Sequence, residues 1–314
     1  MNLSIGIIMD SIESINIAKD SSFAMMLAAR RRGWTIHYMM QHDLFSDGNT
    51  SHALSAIITP MDDPAQWYEV LSRQEIRLSS LNAILMRKDP PYDIEYITTT
   101  WLLDQTEREG SLIVNRPSSL RDANEKLFIT RFPQCCAPLL VSRNSGRLRD
   151  FTELQGDVVL KPLDSMGGHS IFRVRPDDPN LSVILELMTD RGRKTIMAQK
   201  FIPEISAGDK RILLVDGEAV PYALARIPAK GEFRGNLVAG ATGVGVELSD
   251  RDRWICEQVS PALKEMGIMF AGIDVIGDYL SEINITSPTC IRELDQLYNL
   301  DIASRLLDAI EARL

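Results

Sequence analysis

An alternation of strand and helix patterns in the first third of the chain restricts the fold to a few architectures. An apolar, strand-like run from Leu3 to Met9 precedes a helix pattern that begins at Asp20 or Ser21 and ends at Gly33. A second strand pattern, WTIHYMM, follows at once. Because neighbouring parallel strands need a crossover between them, this order predicts a parallel sheet covered by helices.

The same alternation resumes after a polar, irregular stretch. A strand pattern, AILMR, lies at Ala83–Arg87 before the interrupting residues KDPPYD. A helix pattern follows from about Glu95 to Glu109, and the short strand pattern LIVN ends at Asn115. The N-terminal part is therefore predicted as an α/β domain, which we place at residues 1–122.

Beyond this domain the pattern changes to paired strands joined by tight turns. Asp216-Gly217 between two alternating runs is a strong signal for a two-residue hairpin. Helix patterns intervene at about Asn180–Met188 and from Ser249, where SDRD has capping-box spacing, to Met266. The predicted strands are DVVLKP, SIFRV, TIMAQKFI, RILLVDGEAVPYALARI and AGIDVIGDYLSEINI. Residues 123–314 are therefore predicted as a mostly antiparallel α+β region.

Composition and charge exclude several classes of protein. The 314 residues are 45% apolar and 25% charged, and no apolar run approaches the roughly 18 residues of a membrane span. The formal net charge of −9 argues against broad nucleic-acid binding, which needs a basic face. The N-terminus lacks a signal-peptide pattern, and the four cysteines have no metal-type spacing. We therefore expect a cytoplasmic protein without nucleic-acid or membrane partners, in which a focused pocket binds any anionic ligand.

Three oxygen-bearing side chains stand among the apolar residues of GIDVIGDYLSEINITSPTC. Glu282 and Asn284 share one face of a strand, and Asp274 faces them across a hairpin if the connecting loop holds an odd number of residues, such as 277–279. Oxygen ligands that include two carboxylates suit Mg²⁺ or Mn²⁺ rather than zinc. An edge strand that shows a polar face to solvent explains the same three residues equally well.

A glycine-containing loop, KPLDSMGGHS, joins two strand patterns at Lys161–Ser170. Gly167 and Gly168 let main-chain N–H groups approach phosphate oxygens, and Lys161 adds a positive charge. The loop has neither the Walker A nor the dinucleotide-binding pattern. A plain glycine hairpin is the alternative that these residues leave open.

Three further cations, Lys126, Arg211 and Arg226, lie on segments that otherwise carry core-type residues. Scattered surface bases give the same pattern. A glycine-rich segment at 227–245 contains Arg234. Such a segment is either a disordered loop or a lid that closes over a substrate.

The order of these features resembles the ATP-grasp superfamily, and the sequence closely resembles the bacterial glutathione synthetase family within it. The resemblance runs through nearly the whole chain in INIAKDSSFAMML, LMRKDPPYD, VNRPSSLRDANEKLF, LKPLDSMGG, GDKRILLVDGEAVPYALARIP, RGNL and GIDVIGDYLSEINITSPTCIRE. It implies an N-terminal pre-ATP-grasp domain and an ATP-grasp fold whose subdomains, at about 123–200 and 201–314, hold the nucleotide between antiparallel sheets.

The resemblance also implies roles for individual residues. Two lysines match phosphate-contacting positions of the family, the glycine pair belongs to its small glycine-rich loop, and AQKFI matches the segment whose main chain recognises adenine. On this basis the residues expected to bind ATP are Lys126, Lys161, Gly167, Gly168, Gln199, Lys200, Ile202 and Asp209. Those expected to bind Mg²⁺ or Mn²⁺ are Asp274, Glu282 and Asn284.

The implied reaction joins γ-glutamylcysteine to glycine while ATP is cleaved to ADP and phosphate through an acyl phosphate. In the resemblance Arg211 and Arg226 stabilise the reacting groups, and residues 227–243 form the lid. The candidate substrate contacts are Arg87, Arg234, Ser287 and Thr289. The family further implies a homotetramer. The alternatives are another ATP-grasp carboxylate-amine ligase and a nucleotide-binding module without catalysis.

Overall fold

The N-terminal part of the protein forms a seven-stranded mixed sheet, which we call sheet A. The computed structural model describes residues 3–235 and 240–314. The strands of sheet A are β1 (Ser4–Ile8), β2 (Thr35–Met39), β3 (Leu44–Ser46), β4 (Ser51–Pro60), β5 (Tyr68–Arg77), β6 (Ala83–Met86) and β7 (Leu112–Val114). Strands β2, β1, β6 and β7 are adjacent and parallel, as the strand-helix-strand order predicts. Helices α1 (Ser21–Arg31) and α2 (Ile94–Arg108) make two of the crossovers.

Both crossover helices begin where an aspartate caps them. Asp20 accepts a hydrogen bond from the main-chain nitrogen of Phe23 at 2.6 Å, and Asp93 accepts one from that of Tyr96 at 2.9 Å. These bonds satisfy main-chain donors that the first turn of a helix leaves without partners. Phe23 and Tyr96 are themselves buried, so the cap and the first core residue together fix where each crossover starts.

The polar stretch between β2 and β6 is not irregular, and that prediction is wrong. Strands β4 and β5 form a long antiparallel hairpin there, and β5 is the outer strand of sheet A. Most residues of β5 are exposed, and only Tyr68 and Ile76 are partly buried. An edge strand with two solvated faces lacks the alternation of apolar and polar residues that identifies a half-buried strand. The residue pattern of β5 therefore does not indicate a strand.

The next part of the chain forms a four-stranded antiparallel sheet, sheet B, which follows helix α3 (Pro117–Asp122). Its strands are β8 (Leu139–Ser142), β9 (Val158–Pro162), β10 (Phe172–Val174) and β11 (Ile196–Lys200). Helices α4 (Ser145–Gln155) and α5 (Leu181–Met188) accompany it, and α5 lies where the sequence predicts a helix.

The last part forms a five-stranded antiparallel sheet, sheet C, with strands β12 (Asp209–Val215), β13 (Glu218–Ile227), β14 (Thr242–Glu247), β15 (Phe270–Ile276) and β16 (Tyr279–Asn284). Three helices accompany it. Helix α6 (Asp250–Glu265) lies between β14 and β15, and helices α7 (Ile291–Tyr298) and α8 (Ile302–Glu311) follow β16. The hairpin predicted at Asp216-Gly217 is confirmed, because Val215 pairs with Glu218 and both turn residues have positive φ, 51° and 73°.

Sheets A and C share two hydrophobic cores, one of which also includes Met197 of β11, and sheet B has a further core of its own. One shared core contains Leu85 of β6, Leu213 of β12 and Leu307 of α8. The Asn115 side chain, directly after β7, donates to the main-chain oxygens of Phe270 and Ile285 and accepts from the main-chain nitrogens of Met269 and Phe270 at the start of β15. The core of sheet B is built only from that sheet and its helices. Within the described ranges, no helix has the length and apolar character of a membrane span.

Candidate active site

The hairpin of β15 and β16 brings the three oxygen-bearing side chains together. Asp274 pairs directly with Glu282, and Gly272 pairs with Asn284, so the Asp274, Glu282 and Asn284 side chains lie on one face. The nitrogen of the Asn284 amide lies 3.4 Å from Asp274 Oδ2. The shared face that the spacing allows is therefore present.

The means by which the hairpin achieves this register differs from the prediction. An odd-numbered loop was expected, but Ile276 pairs with Tyr279 and only two residues connect the strands. A register shift follows, because Val275 pairs with Leu280 while Asp274 pairs with Glu282. Ser281 is thus a β-bulge, an extra residue in one strand of the pair. The bulge, and not the loop, puts the two carboxylates on the same face.

Asp274 is held by two buried arginines from neighbouring strands. Arg211 Nε donates to Asp274 Oδ1 at 2.5 Å and Nη2 donates to Oδ2 at 2.9 Å, while Arg226 Nη2 lies 2.9 Å from Oδ2. Burial alone would raise the pKa of Asp274, but the positive charges of Arg211 and Arg226 outweigh it and lower that pKa below its ordinary value. A Cβ atom on Gly272 would meet Arg211 Cδ at 2.8 Å, so a glycine there makes room for this arginine.

Asp209, at the start of β12, shares Arg226 with Asp274. Arg226 Nη2 donates to Asp209 Oδ2 at 2.5 Å, and both side chains are buried. The pKa of Asp209 is nevertheless raised to about 6, because burial outweighs the attraction of Arg226, and the negative charges of Asp274 and Glu282 add to the effect. Two aspartates in contact with one arginine thus have pKa values shifted in opposite directions.

Lys126 lies buried at the boundary between sheets B and C. Its Nζ donates to Glu125 Oε1 and, at 2.6 Å, to the main-chain oxygen of Ser165, and it lies 4.0 Å from Glu282 Oε1. Burial alone would lower the pKa of Lys126, but Glu282 and Glu125 outweigh it and raise that pKa. Sequence reasoning missed Glu125, although an acid directly before the candidate phosphate lysine was the available signal.

A cavity of about 230 Å³ opens in front of these groups, and we call it the reaction cavity. Of the predicted site residues it is lined by Lys126, Gly167, Gly168, Arg211, Arg226, Glu282, Asn284, Ser287 and Thr289. Asp274 lies behind the two arginines and is only 2% exposed. The structure therefore brings the predicted catalytic residues, two of the three predicted metal ligands and two of the four predicted substrate contacts around one space, with Asp274 beneath its floor.

Arg87, a predicted substrate contact, lies outside the lining of the reaction cavity. It is buried after β6, where Nε donates to Ser22 Oγ at 3.0 Å and Nη2 donates to the main-chain oxygen of Pro288 at 2.8 Å. Burial lowers the pKa of Arg87, and Asp89 and Asp20 oppose the shift. Among the described residues no carboxylate oxygen lies within 4.0 Å of its guanidinium group. Arg87 therefore holds the loop between Ser287 and Thr289 in place.

A second, smaller pocket of about 70 Å³ lies between sheets B and C, and we call it the base pocket. It is lined by Lys161, Gln199, Lys200, Ile202, Asp209 and Arg234 from the predicted set, with Phe201 and Phe233 as apolar walls. Two buried atoms that line it, Gln199 Nε2 and Asp209 Oδ1, have no hydrogen-bond partner in the described part of the chain. Buried polar atoms are normally paired, so these two atoms are candidate contacts for a ligand or a water molecule.

The glycine-rich loop and the predicted lid meet above the base pocket. Gly167 and Gly168 have φ of 66° and 80°, a backbone conformation that residues other than glycine rarely adopt. Arg234 Nη1 donates to the main-chain oxygen of Gly168 at 3.2 Å, and its Nη2 lies 2.5 Å from Glu232 Oε2. The predicted lid at 227–243 includes residues 236–239, which lie outside the described residues.

Comparison with solved structures identifies the class of fold. The crystal structure of the D-cycloserine synthetase DcsG superposes with a TM-score of 0.68 at 13% identity and covers 98% of this chain and 99% of its own. The ATP-grasp ligase PsnB, complexed with a minimal precursor, has a TM-score of 0.64 at 17% identity and covers both chains fully. The chain has the ATP-grasp fold, and the predicted fold class is confirmed.

Sequence comparison identifies the family. Residues 3–121 match the N-terminal domain of prokaryotic glutathione synthetase, and residues 125–299 match the ATP-grasp domain of the same family. The chain therefore belongs to the prokaryotic glutathione synthetase family.

Full-length relatives agree with this assignment. The glutathione synthetase of Pseudomonas syringae pv. tomato is 57% identical over 314 residues, covering 100% of this chain and 98% of its own. Those of Pseudomonas aeruginosa and Vibrio vulnificus are each 55% identical over 314 residues, with 100% of this chain and 99% of theirs covered. The predicted enzyme class, an ATP-dependent ligase, is confirmed with the family.

Proposed function

We propose that the protein joins γ-glutamylcysteine to glycine, with ATP cleaved to ADP and phosphate, through an acyl phosphate. The observation that carries this proposal is the continuity of the cleft. Ile171 and Glu282 line both the base pocket and the reaction cavity. A nucleotide whose base occupies the smaller pocket therefore extends its phosphates into the larger one, where cations and carboxylates meet.

The base pocket supplies the groups that adenosine requires. Gln199 Nε2 is a buried donor suited to a ring nitrogen of the base, and Asp209 Oδ1 is a buried acceptor suited to a ribose hydroxyl. Phe201 and Phe233 provide apolar surface for a planar ring. In this proposal the main chain of Lys200 and Ile202 at the end of β11 recognises the edge of adenine.

Two lysines and the glycine-rich loop bind the phosphates in this proposal. Lys161, on β9, is buried but has no carboxylate within 4.0 Å among the described residues. Lys126 reaches the same region from the floor of the reaction cavity. The positive φ of Gly167 and Gly168 lets main-chain N–H groups approach an anion without a side chain in the way.

The residues at the hairpin fit Mg²⁺ or Mn²⁺. Asp274 offers about four lone-pair sites, of which its three arginine contacts occupy three. Among the described residues, the Glu282 carboxylate has no cation closer than Lys126 at 4.0 Å. Asp274, Glu282 and Asn284 are the oxygen donors that would hold the ion, a set that suits Mg²⁺ and Mn²⁺ and not zinc. When bound, the ion supplies positive charge against the phosphate oxygens.

In the proposed reaction the terminal carboxylate of γ-glutamylcysteine attacks the γ-phosphorus of ATP. The bond from that phosphorus to the bridging oxygen breaks, and ADP and an acyl phosphate form. The glycine amine then attacks the acyl carbon, phosphate leaves, and the amine proton passes to phosphate or water. Arg211 and Arg226 face this space from its floor, where their N–H groups stabilise negative charge as it develops.

Ser287, Thr289 and Arg234 are the proposed contacts of the dipeptide substrate, and Arg87 supports them through the Pro288 main chain. The segment 227–243 is the proposed lid, which excludes water from the acyl phosphate. We also propose two domains, at 1–122 and 123–314, the second with subdomains at about 123–200 and 201–314. The core that sheet B forms with its own helices supports the division between the two subdomains. The family resemblance supports a homotetramer, which light scattering of the purified protein tests.

The decisive experiment measures ADP release with γ-glutamylcysteine and glycine together, and then with each omitted. We expect ADP only when the dipeptide is present, and glutathione only when both substrates are present. If D-alanine replaces glycine equally well, or another dipeptide supports release while this pair does not, the substrate assignment is wrong. A protein that binds ATP but releases no ADP with any pair would be a binding module.

A further inference from the structure

An arginine of sheet B covers one aromatic wall of the base pocket from outside the pocket. The guanidinium carbon of Arg173, on β10, lies 3.5 Å from the centre of the Phe201 ring. Phe201 is among the described residues that line the base pocket, and Arg173 is not. Any effect of Arg173 on a ligand in this pocket is therefore exerted through the ring that it covers.

The strand pairing of sheet B explains why Arg173 lies beside the pocket. Val159 of β9 pairs with Arg173 on one side and with Gln199 of β11 on the other, so the three side chains share one face of the sheet. Val159 and Gln199 both line the base pocket. Arg173 extends this row onto β10, the edge strand of the sheet, where it reaches Phe201.

Asp157 holds both members of this stack. Its Oδ1 accepts from Arg173 Nε at 2.9 Å and its Oδ2 accepts from Nη2 at 2.6 Å, a two-pronged contact that sets the plane of the guanidinium group. The main-chain oxygen of Asp157 accepts from the main-chain nitrogen of Phe201 at 2.9 Å. The ring and the cation that covers it are therefore both bonded to one residue, which fixes their relative position.

We propose that Arg173 is a positioning residue for the nucleotide base, which fixes the Phe201 ring in the orientation that lines the pocket. The inference rests on the proposed binding of an adenine base there. A cation over an aromatic face is attracted by the electron density of that face, and this attraction stabilises one orientation of the ring. A side chain that is already ordered loses less conformational entropy when a ligand binds, so the affinity for the base increases.

An ordinary surface ion pair is the alternative explanation, and the neighbouring Arg175 is an example of one. Its Nε and Nη2 each lie 3.2 Å from Asp157 Oδ2, and its side chain is 60% exposed. Within the described ranges, Arg175 does not lie over an aromatic ring. The two arginines thus share a carboxylate, and only Arg173 adds a contact with the pocket wall.

The test is the affinity of the full-length protein for ADP, measured by isothermal titration calorimetry, together with the steady-state constants for ATP. Arg173→Lys keeps the charge but loses the planar group that both bonds to Asp157 and stacks on Phe201. We expect it to weaken ADP binding about fivefold and to raise the KM for ATP equally, with kcat unchanged. Arg175→Lys is the matched control on the same carboxylate and is expected to change neither constant.

A second background separates an effect through the ring from every other effect of Arg173. Phe201→Leu removes the ring and is expected to weaken ADP binding about tenfold, since the base loses its stacking partner. In that background Arg173→Lys is expected to change ADP affinity by no more than about twofold, because no ring remains to be fixed. An equal loss in both backgrounds would show that Arg173 acts on the nucleotide directly or through the fold of sheet B, and would overturn the inference.

Failure of the base pocket itself has a different signature. If neither Phe201→Leu nor Gln199→Leu weakens ADP binding, the base does not lie in this pocket, and the proposed nucleotide site is wrong together with the role of Arg173. If both weaken it and Arg173→Lys does not, only the positioning role is wrong. Thermal unfolding of each variant without nucleotide checks folding, and Arg173→Lys should hardly lower the midpoint, because its pair with Asp157 is partly exposed.

Discussion

The two ends of the cleft treat their buried polar groups in opposite ways. In the reaction cavity Asp274 is bonded to both Arg211 and Arg226, and its pKa is lowered. In the base pocket, the buried Gln199 Nε2 and Asp209 Oδ1 have no partner within the described ranges, and the pKa of Asp209 is raised. One end is therefore internally satisfied before any ligand binds, and the other is not.

This difference predicts that the two ends contribute differently to turnover and to ligand affinity. Groups that are already held in place stabilise a transition state without reorganising, which is the largest contribution in many enzymes. Buried atoms without partners cost free energy until a ligand supplies the missing hydrogen bond, so they contribute to binding. We therefore expect substitutions in the reaction cavity to change turnover and stability, and substitutions in the base pocket to change the KM for ATP.

The largest expected effect is that of Glu282→Gln on turnover. We expect kcat to fall about 10³-fold, because Glu282 is a proposed ligand of the ion whose positive charge stabilises the transferring phosphate. The thermal midpoint should hardly change, because in the described part of the chain the cation nearest to Glu282 is Lys126, 4.0 Å away. Glu218→Gln, in an exposed ion pair with Arg305, is the control. Activity near that of the unaltered protein would remove Glu282 from the site.

Asp274→Asn is expected to lower the free energy of unfolding by about 3 kcal/mol, because two buried arginines lose the charge that compensates them. Urea unfolding measures this. Asp62→Asn breaks an exposed pair with Arg292 and is expected to cost less than about 1 kcal/mol. Equal effects of the two substitutions would contradict the view that the reaction cavity is internally satisfied.

Gln199→Leu is expected to raise the KM for ATP about tenfold, with kcat unchanged, since one hydrogen bond to the nucleotide is lost. The protein should be no less stable, because Gln199 Nε2 has no partner in the described structure to lose. Steady-state kinetics and thermal unfolding check both expectations. Gln74→Leu on the exposed strand β5 serves as the comparison and should leave KM unchanged. A loss of stability in Gln199→Leu without a change in KM would contradict a role in the base pocket.

The smallest effect concerns pH. The pKa of Asp209 in the folded protein is about 6, above the ordinary value of 3.8, chiefly because of burial. The folded protein holds this proton more tightly than the unfolded chain, so the stability that Asp209 contributes is full below about pH 4 and is lost as the pH rises through 6. Asp274, whose pKa is lowered, has the opposite dependence, and its contribution is lost in acid.

The free energy of unfolding of Asp209→Asn, minus that of the unaltered protein, should therefore increase by on the order of 1 kcal/mol when the pH rises from 4.5 to 7. Urea unfolding at the two pH values measures the difference. The attraction between Asp209 and Arg226 strengthens as Asp209 ionises, and the pKa of about 6 already includes this attraction. A difference that is constant with pH would show that Asp209 is ionised in the folded protein at pH 4.5.

Much of the fold follows from local patterns in the sequence. The helix that begins at Asp20 and the hairpin at Asp216-Gly217 were predictable, because capping and turn residues act within a few positions of the chain. Strand β5 was not, since a strand with two solvated faces carries no apolar alternation. An element can be predicted from its own residues only where burial in a core or the geometry of a turn requires particular residue types.

The site was predictable to a similar degree. The face shared by Asp274 and Glu282 was expected, but the bulge at Ser281 was not, because a bulge depends on pairing with the partner strand and leaves no mark in the spacing. Glu125 was missed for a related reason. Its main chain bonds to that of Ile283 because the chain after sheet A returns beside β16, a contact between residues distant in sequence.

A two-residue turn and two cross-strand pairs account for every residue between Asp274 and Glu282 except Ser281, which is the extra residue of the bulge. If Ser281 were deleted, the same turn would pair Asp274 with Glu282 in an unbroken ladder, and the two carboxylates would still share one face. Replacing Ser281 by another residue leaves the pairing unchanged as well. The position that the bulge occupies can therefore vary in sequence, or be lost, without separating the two carboxylates.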